Sequence, residues 1–278
     1  MRLARVFPRR TKATPDDELA FFGPPGLFVE ADEIHVDCTF TWDKEVAEWL
    51  AKQWERVAPV KIGGVAYGDP GASFVSGRYI KPGYTFTSRG CVRRCWFCSV
   101  WRRDPKPRLL PIQEGWNILD DNLLACPDEH VISVFEMLRR QTQRVHFTGG
   151  LEAASLKDLH ISLLATLKPQ PVCFWAYDPG DAFETLEYAA RRLIDAGFST
   201  KGHRLRCYVL VGYPLDTFSL AEHRLHQMLG IGFTPFAMLW RPEHASQMKW
   251  APGPEWKAFQ RRWARPAAIH ALNGLRGD

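Results

Sequence analysis

The sequence predicts an α/β protein: an open parallel sheet in the form of a partial (β/α)6 barrel, a small N-terminal βαβ segment and a C-terminal helical tail. From residue 83 onward, strand-like apolar runs alternate with amphipathic helical stretches. These helices are long enough to serve as crossovers between parallel strands. A chain of 278 residues can also bury a substantial core without disulfide bonds.

The N-terminal part is predicted in two pieces. Residues 1–30 are rich in proline and arginine and show little periodicity, so we expect an irregular arm. A small βαβ-like segment is expected over 31–80, with a strand at 33–38, a helix at 43–56 and a strand at 57–64. This segment is short for a complete nucleotide-binding domain.

The main unit is expected over 81–245, followed by a helical extension over 246–278 that contains a helix near 256–269. Its predicted strands are 83–89, 115–120, 144–148, 172–177, 205–211 and 234–240. Its predicted helices are 128–141, 155–167, 182–196 and 217–230. In barrels of this kind the chemistry lies at the carboxyl ends of the strands, so the residues that follow each strand are the first candidates for a site.

Composition excludes several classes of protein. Hydrophobic residues make up 46% of the chain and charged residues 24%, which excludes wholesale disorder and collagen-like repeats. Lysine and arginine number 36 against 31 acidic residues, an excess that permits anionic partners without requiring them. We expect a cytoplasmic protein without a membrane segment, because no apolar run approaches about 18 residues and the basic start lacks an apolar signal region.

The cysteines are unevenly distributed. Cys91, Cys95 and Cys98 form a Cys-x3-Cys-x2-Cys motif, and the other four of the seven are scattered. A disulfide framework would spread its cysteines more evenly, so the crowding indicates a metal. Three thiolates can hold three corners of an iron–sulfur cube and leave the fourth iron open. Zinc is the alternative, although zinc sites usually take four protein ligands and no second cysteine pair is present.

The cysteine motif, the aromatic Phe97 before its last cysteine and the strand that leads into the loop resemble the radical S-adenosylmethionine (radical SAM) superfamily. The resemblance covers about residues 80–240 and implies a radical SAM barrel and an enzyme. It implies that Cys91, Cys95 and Cys98 bind a 4Fe–4S cluster, whose open iron chelates the amino and carboxylate groups of S-adenosyl-L-methionine (SAM). Reductive cleavage of SAM would then give a 5′-deoxyadenosyl radical that takes hydrogen from an unidentified substrate.

Residues near the strand ends are the candidate SAM contacts. The predicted cofactor-binding residues are Phe97, Asp120, Asp121, Asn122, Thr148, Gly149, Gly150, Asp178, Val211, Gly212, Met238 and Trp240. The polar groups after the second strand can accept hydrogen bonds from the SAM ammonium or form an Asx turn. The glycine pair after the third strand allows a ligand to approach the backbone closely. It resembles the superfamily's glycine-rich motif, although it falls one strand later than that motif usually does. The alternative is that the pair forms a tight turn. Asp178 can bond a ribose hydroxyl or lie in an exposed turn, and the last two strands can flank adenine or belong to the core.

Basic residues crowd the cysteine loop: Arg89, Arg93, Arg94, Arg102, Arg103, Lys106 and Arg108. These residues can stabilise an anionic cluster, since nearby positive charge favours it. They can also dock an acidic reducing partner such as flavodoxin or ferredoxin, or hold an anionic substrate. The alternative is that they are ordinary solvated surface residues. The substrate stays open among small molecules, nucleotides and peptides. Nucleic acid is possible, although no single-strand binding motif is visible. His146 is a further candidate, because it lies on a strand near the proposed pocket.

The segment over 33–70 resembles a truncated Rossmann-like domain of the kind that precedes the barrel in cobalamin-dependent radical SAM enzymes. The cobalamin signature Asp-x-His-x-x-Gly is absent, so cobalamin is not expected. A cobalamin-dependent methyltransferase remains an alternative, as does a non-enzymatic iron–sulfur or zinc protein that binds a partner. The segment can instead cap the barrel or contact substrate.

Overall fold

The chain folds as an α/β protein with two parallel sheets, and the computed structural model describes residues 1–68, 74–242 and 245–273. The predicted class and the parallel pairing of the strands are therefore confirmed. Within the described residues, no helix combines the length and the apolar character that crossing a bilayer requires.

The N-terminal sheet contains the predicted βαβ unit and two further strands. Its elements are β1 (Leu3–Val6), β2 (Ala20–Phe21), β3 (Glu33–Asp37), α1 (Lys44–Trp54) and β4 (Val60–Gly63). The strands lie parallel in the order β2-β1-β3-β4. The prediction of an irregular arm over 1–30 is wrong, because Ala4 and Val6 of β1 are fully buried beside Ile34 of β3. These strands are too short, and too closely flanked by arginine and proline, to show a period of their own.

The main sheet follows the predicted alternation of strands and helices. Its elements are β5 (Gly83–Thr85), β6 (Ser88–Arg89), α2 (Val100–Arg103), β7 (Arg108–Leu109), β8 (Gly115–Ile118), α3 (Asp128–Arg139), β9 (His146–Leu151), α4 (Asp158–Thr166), β10 (Val172–Tyr177), α5 (Phe183–Asp195), β11 (Leu205–Val211), α6 (Phe218–Gly230) and β12 (Thr234–Leu239). Six strands lie parallel in the order β5-β8-β9-β10-β11-β12, and β6 pairs antiparallel with β7. In the described part of the chain the edge strands β5 and β12 do not pair, so the sheet is open.

The structure departs most from the predicted elements at three places. The predicted strand 83–89 is two strands, because the chain leaves the main sheet after β5 and β6 pairs with β7. The pairing of β9 with β10 jumps from Phe147–Cys173 to Leu151–Trp175, so β9 bulges and Gly149 lies inside the strand. The single predicted tail helix is two, α7 (Pro254–Trp263) and α8 (Pro266–Asn273), because a proline disfavours helical geometry in the residue before it.

The two faces of the main sheet differ. Alternate residues of β10 and β11 pack with the helices in one apolar core, which contains Cys173, Trp175, Leu205, Cys207, Val209, Phe135, Leu164, Leu193 and Leu225. Trp175 is completely buried in this core. The opposite, inner face presents Phe174, Arg206, Tyr208 and Phe236, none of which belongs to that core. The inner face therefore carries polar and charged groups that the core excludes.

Candidate functional site

The three clustered cysteines line one cavity of about 340 Å³ at the carboxyl edge of the main sheet. The rest of its wall comes mainly from the ends of β8, β9 and β10 and includes Asp121, Asn122, Gly149, Gly150, Glu152, Ala176, Tyr177 and Asp178. A cavity of this volume suits a small molecule. The cavity lies at the edge of the sheet where open parallel sheets commonly bind ligands, which is the edge that the sequence indicated.

The cysteine loop is fixed to the sheet by its backbone. Gly90 adopts φ +99°, and a Cβ there would lie 2.2 Å from the Lys106 carbonyl oxygen, so the turn into the loop requires glycine. The Gly90 N–H donates to Asp121 Oδ2 at 2.8 Å, and the Cys91 N–H donates to the Asp104 carbonyl at 3.1 Å. The start of the loop is therefore held against Asp121, which lies three residues after the end of β8.

The thiols lie in a partly buried setting with polar groups beside them. Burial raises the pKa of Cys98 to about 11 and raises that of Cys95, although Arg93 opposes the shift at Cys95. Asn122 Nδ2 donates to Cys91 Sγ at 3.4 Å and to Glu152 Oε2 at 2.8 Å. Metal ligation requires the thiolate form, so metal binding would release protons from Cys95 and Cys98.

The donor set consists of three thiols from one loop, and three thiols can hold three corners of an iron–sulfur cube. Over the described ranges, no three His, Cys, Asp or Glu side chains are grouped so that they could hold one metal ion. In an iron–sulfur cube each cysteine binds a different iron, so the sulfurs lie farther apart than the ligands of one ion. The other cysteines, Cys38, Cys126, Cys173 and Cys207, are buried and do not line this cavity. Three thiols without a fourth suit a cluster with one open iron, and they do not suit a closed zinc site.

Asp120 lies behind the cavity wall, where its contacts shield it from a ligand. It is 1% exposed and accepts hydrogen bonds from the Thr87 N–H at 2.7 Å and from the Thr87 and Ser88 hydroxyls at 2.6 Å. These bonds tie the end of β8 to the segment that leads into the cysteine loop. Burial outweighs them and raises the pKa of Asp120 to about 6. Asp120 is therefore placed to position the loop and does not line the cavity, and its contact with a cofactor stays a prediction.

Asp120→Asn is expected to remove a pH dependence of stability. Because the pKa of Asp120 is raised from 3.8 to about 6 on folding, its contribution is full below pH 3.8 and is lost as the pH rises through 6. Relative to the Asn variant, the wild-type free energy of unfolding should fall by about 3 kcal/mol over this interval. Urea unfolding of both proteins from about pH 4 to pH 8 measures the difference, and a constant difference would contradict this role.

The remaining predicted residues divide into two groups. Phe97, Asp121, Asn122, Gly149, Gly150 and Asp178 line the cavity with the cysteines. Thr148, Val211, Gly212, Met238 and Trp240 lie outside its walls. Trp240 instead packs near Trp96 of the cysteine loop, with ring centroids 6.3 Å apart, and Tyr213 lies 6.0 Å from Trp96. The last two strands therefore support the loop, and contact of these residues with adenine stays a prediction.

Sequence reasoning missed an ion-pair network that closes the cavity. Arg93, between the first two cysteines, pairs with Glu152 at 3.2 Å and with Asp181. Glu152 follows the glycine pair by two residues, a signal that could have suggested it. Burial, and then the charge of Asp181, raise the pKa of Asp178 to about 7, so Asp178 can donate or accept a hydrogen bond near neutral pH.

The basic residues around the loop are partly engaged inside the molecule. Arg103 pairs with Asp104 at 3.0 Å and with Asp121 at 3.1 Å, and Arg89 is buried 3.7 Å from Asp121. Arg94 and Lys106 are exposed. The internal arginines therefore brace the loop, and only the exposed residues remain for an outside partner.

A second cavity, of about 430 Å³, lies where the carboxyl edges of the two sheets meet. Phe7, Cys38 and Gly64 follow strands of the N-terminal sheet, and Phe86 and Leu119 follow β5 and β8. Val100 and Asp121 line both cavities, so the two share a wall. The N-terminal sheet thus contributes to a pocket beside the cysteine loop.

Comparison with known proteins assigns the chain to no family. A scan against protein-family models found no match, and a search of curated proteins found no significant match. The chemistry of the cysteine loop and its cavity is therefore the basis for a functional proposal.

Proposed function

We propose that this protein is a radical SAM enzyme that binds a 4Fe–4S cluster through Cys91, Cys95 and Cys98. The observation that carries the proposal is that three thiols from one eight-residue loop line a cavity of small-molecule size without a fourth cysteine. Such a donor set leaves one iron for a small-molecule ligand. The described cavity thus offers both the metal ligands and the space that SAM needs.

Cys91, Cys95 and Cys98 would hold the cluster, which when bound would supply the electron for reductive cleavage of SAM and so the radical chemistry of the proposed enzyme. The chain's own residues bind and orient the ligand and exclude water. The sequential parallel order of the main sheet and its unpaired edges support a partial (β/α)6 radical SAM barrel.

Asn122 and Glu152 are suited to recognise the ammonium group of SAM. Asn122 Oδ1 is buried and accepts no hydrogen bond in the described structure, so it is an acceptor without a donor. Glu152 is a carboxylate on the same wall, and its Oε2 already accepts from Asn122. A ligand ammonium would satisfy the orphaned oxygen and add a charge-assisted bond to Glu152.

Gly150 and Asp178 are suited to the remaining polar parts of the ligand. No heavy atom outside residues 149–151 lies within 4 Å of the place where a Cβ on Gly150 would stand, so the backbone there is open to the cavity. Asp178 can bond a ribose hydroxyl, with either protonation state accessible near neutral pH. These contacts orient a nucleoside beside the thiols without requiring Asp120.

We propose a reducing partner such as flavodoxin or ferredoxin for this enzyme. Arg94 and Lys106 are exposed near the loop and would attract an acidic protein. The substrate class stays open among small molecules, nucleotides and peptides, and the reaction subclass is likewise open.

Anaerobic reconstitution with iron and sulfide tests the proposal. We expect about four irons per chain and a brown protein that bleaches with dithionite. Addition of SAM and dithionite should then yield 5′-deoxyadenosine, measured by liquid chromatography. A colourless protein with one zinc and no SAM binding would overturn the proposal in favour of a zinc protein. A cobalamin absorption band after loading would instead indicate a methyltransferase.

A further inference from the structure

The inner face of the main sheet carries a cation that lacks an acidic partner. Arg206 is the second residue of β11 and lies opposite Phe174 of β10. Its guanidinium carbon stands 4.6 Å from the Phe174 ring centroid and 5.4 Å from that of Phe236. The guanidinium is thus flanked by two aromatic rings on the side of the sheet that the helices do not cover.

The Arg206 guanidinium is unpaired within the described ranges. Its Nε is shut off from solvent and makes no hydrogen bond, and no ion pair joins it to a described carboxylate. Arg224 of α6 differs, because its Nη2 donates to both Asp216 oxygens at 2.9 and 3.0 Å. Arg206 is half-buried, and a partly desolvated cation without a counter-charge fits a site that an anion completes.

The surroundings of Arg206 increase the positive potential. Lys12, Arg144 and Arg206 all act on His146 at the start of β9, where they add to the effect of burial and lower its pKa. Tyr208 does not supply an anion, because its hydroxyl donates to the Thr148 carbonyl at 3.0 Å. Stacking on aromatic rings leaves the in-plane N–H donors of a guanidinium free, and these donors match the oxygens of a carboxylate or phosphate.

We infer that Arg206 anchors the anionic end of a small molecule, through carboxylate or phosphate oxygens, while Phe174 and Phe236 fix the plane of its guanidinium. Arg206 and His146 lie toward the amino ends of their strands, whereas the cysteine loop lies at the carboxyl edge. Only the identification of that molecule as the enzyme's substrate rests on the proposed function. The anion site itself can be measured on the full chain without a cluster.

Isothermal titration of the cluster-free protein with inorganic phosphate, and separately with succinate, tests the inference. We expect saturable binding of at least one probe, and the probe that binds distinguishes a phosphate from a carboxylate site. Arg206→Gln should weaken this binding by about tenfold or more, since it removes a charge-assisted bidentate contact. Arg204→Gln, which removes the same charge just before β11, should change the affinity by less than about twofold.

Arg206→Lys is the second variant, because it keeps the charge and loses the planar fork. It should bind the probe several-fold more weakly than wild type. If Arg206→Gln does not fold, the affinity of Arg206→Lys tests the inference instead. Absence of saturable binding by wild type, or unchanged affinity in the Arg206 variant, overturns the inference. A protein that binds the probe but does not cleave SAM contradicts the proposed function and leaves the anion site intact.

Discussion

Replacing Cys91 with alanine is expected to reduce iron content after anaerobic reconstitution and to lower SAM cleavage to the level of the enzyme-free reaction. Cys91 lines the cavity, and a three-thiolate set has no spare ligand to replace it. Iron and sulfide analysis, the visible absorption of the cluster and 5′-deoxyadenosine formation measure the outcome. Cys95→Ala and Cys98→Ala should behave in the same way, because each thiol would hold a different iron of the proposed cluster.

Cys173→Ala is the matched control for this experiment. Cys173 is fully buried in the helix-facing core and is remote from the cavity wall. Its truncation should cost about 1–2 kcal/mol of stability and leave cluster content and SAM cleavage unchanged. A Cys91→Ala protein that retains both its cluster and its SAM cleavage would rule out the proposed function.

Gly149→Ala is expected to destabilise the fold by about 1–3 kcal/mol or more and to disturb the cavity. A Cβ at residue 149 would lie 2.2 Å from the Asp120 carbonyl oxygen and 2.6 Å from the Leu119 carbonyl carbon. Both are backbone atoms, so no side-chain rotation can relieve the clash and the ends of β8 and β9 must separate. Urea unfolding measures the loss, and SAM binding by the reconstituted protein should weaken in parallel.

Gly63→Ala provides the control for this substitution. Gly63 ends β4, and no heavy atom outside residues 62–64 lies within 4 Å of the place where its Cβ would stand. The control should differ from wild type by less than about 1 kcal/mol. Equal stability of the two variants would show that β8 and β9 can separate at no cost, contrary to the close approach at Gly149.

Local patterns were sufficient to predict the main sheet and its helices. The first four residues of β11 alternate between buried and partly buried positions, and β10 is a bounded apolar run, so the local sequence predicts both strands. The two-residue strand β2 cannot be predicted in this way, because it is defined by its pairing with β1, a contact between two segments that the local sequence pattern does not contain. The bulge in β9 was missed for the same reason, since it depends on register with β10.

The candidate site was predicted in part. Cys91, Asn122 and Asp178 follow from a spacing motif and from the rule that ligands lie after parallel strands. The same rule also selected Asp120, but Asp120 is buried and accepts hydrogen bonds from Thr87, so it does not line the cavity. The pairing of Arg93 with Glu152 and Asp181 joins residues that are far apart in the chain, so no local sequence pattern can predict it.

The sequential strand order has a consequence for biosynthesis. Every strand of the main sheet after β5 pairs with the strand of that sheet made just before it, so the sheet can grow from its first edge while the ribosome still holds the rest of the chain. The three thiols leave the ribosome soon after β5, but the wall formed by Tyr177 and Asp178 arrives about eighty residues later. Until then the nascent loop stands open on one side, so its three thiols are accessible from solvent until β10 docks.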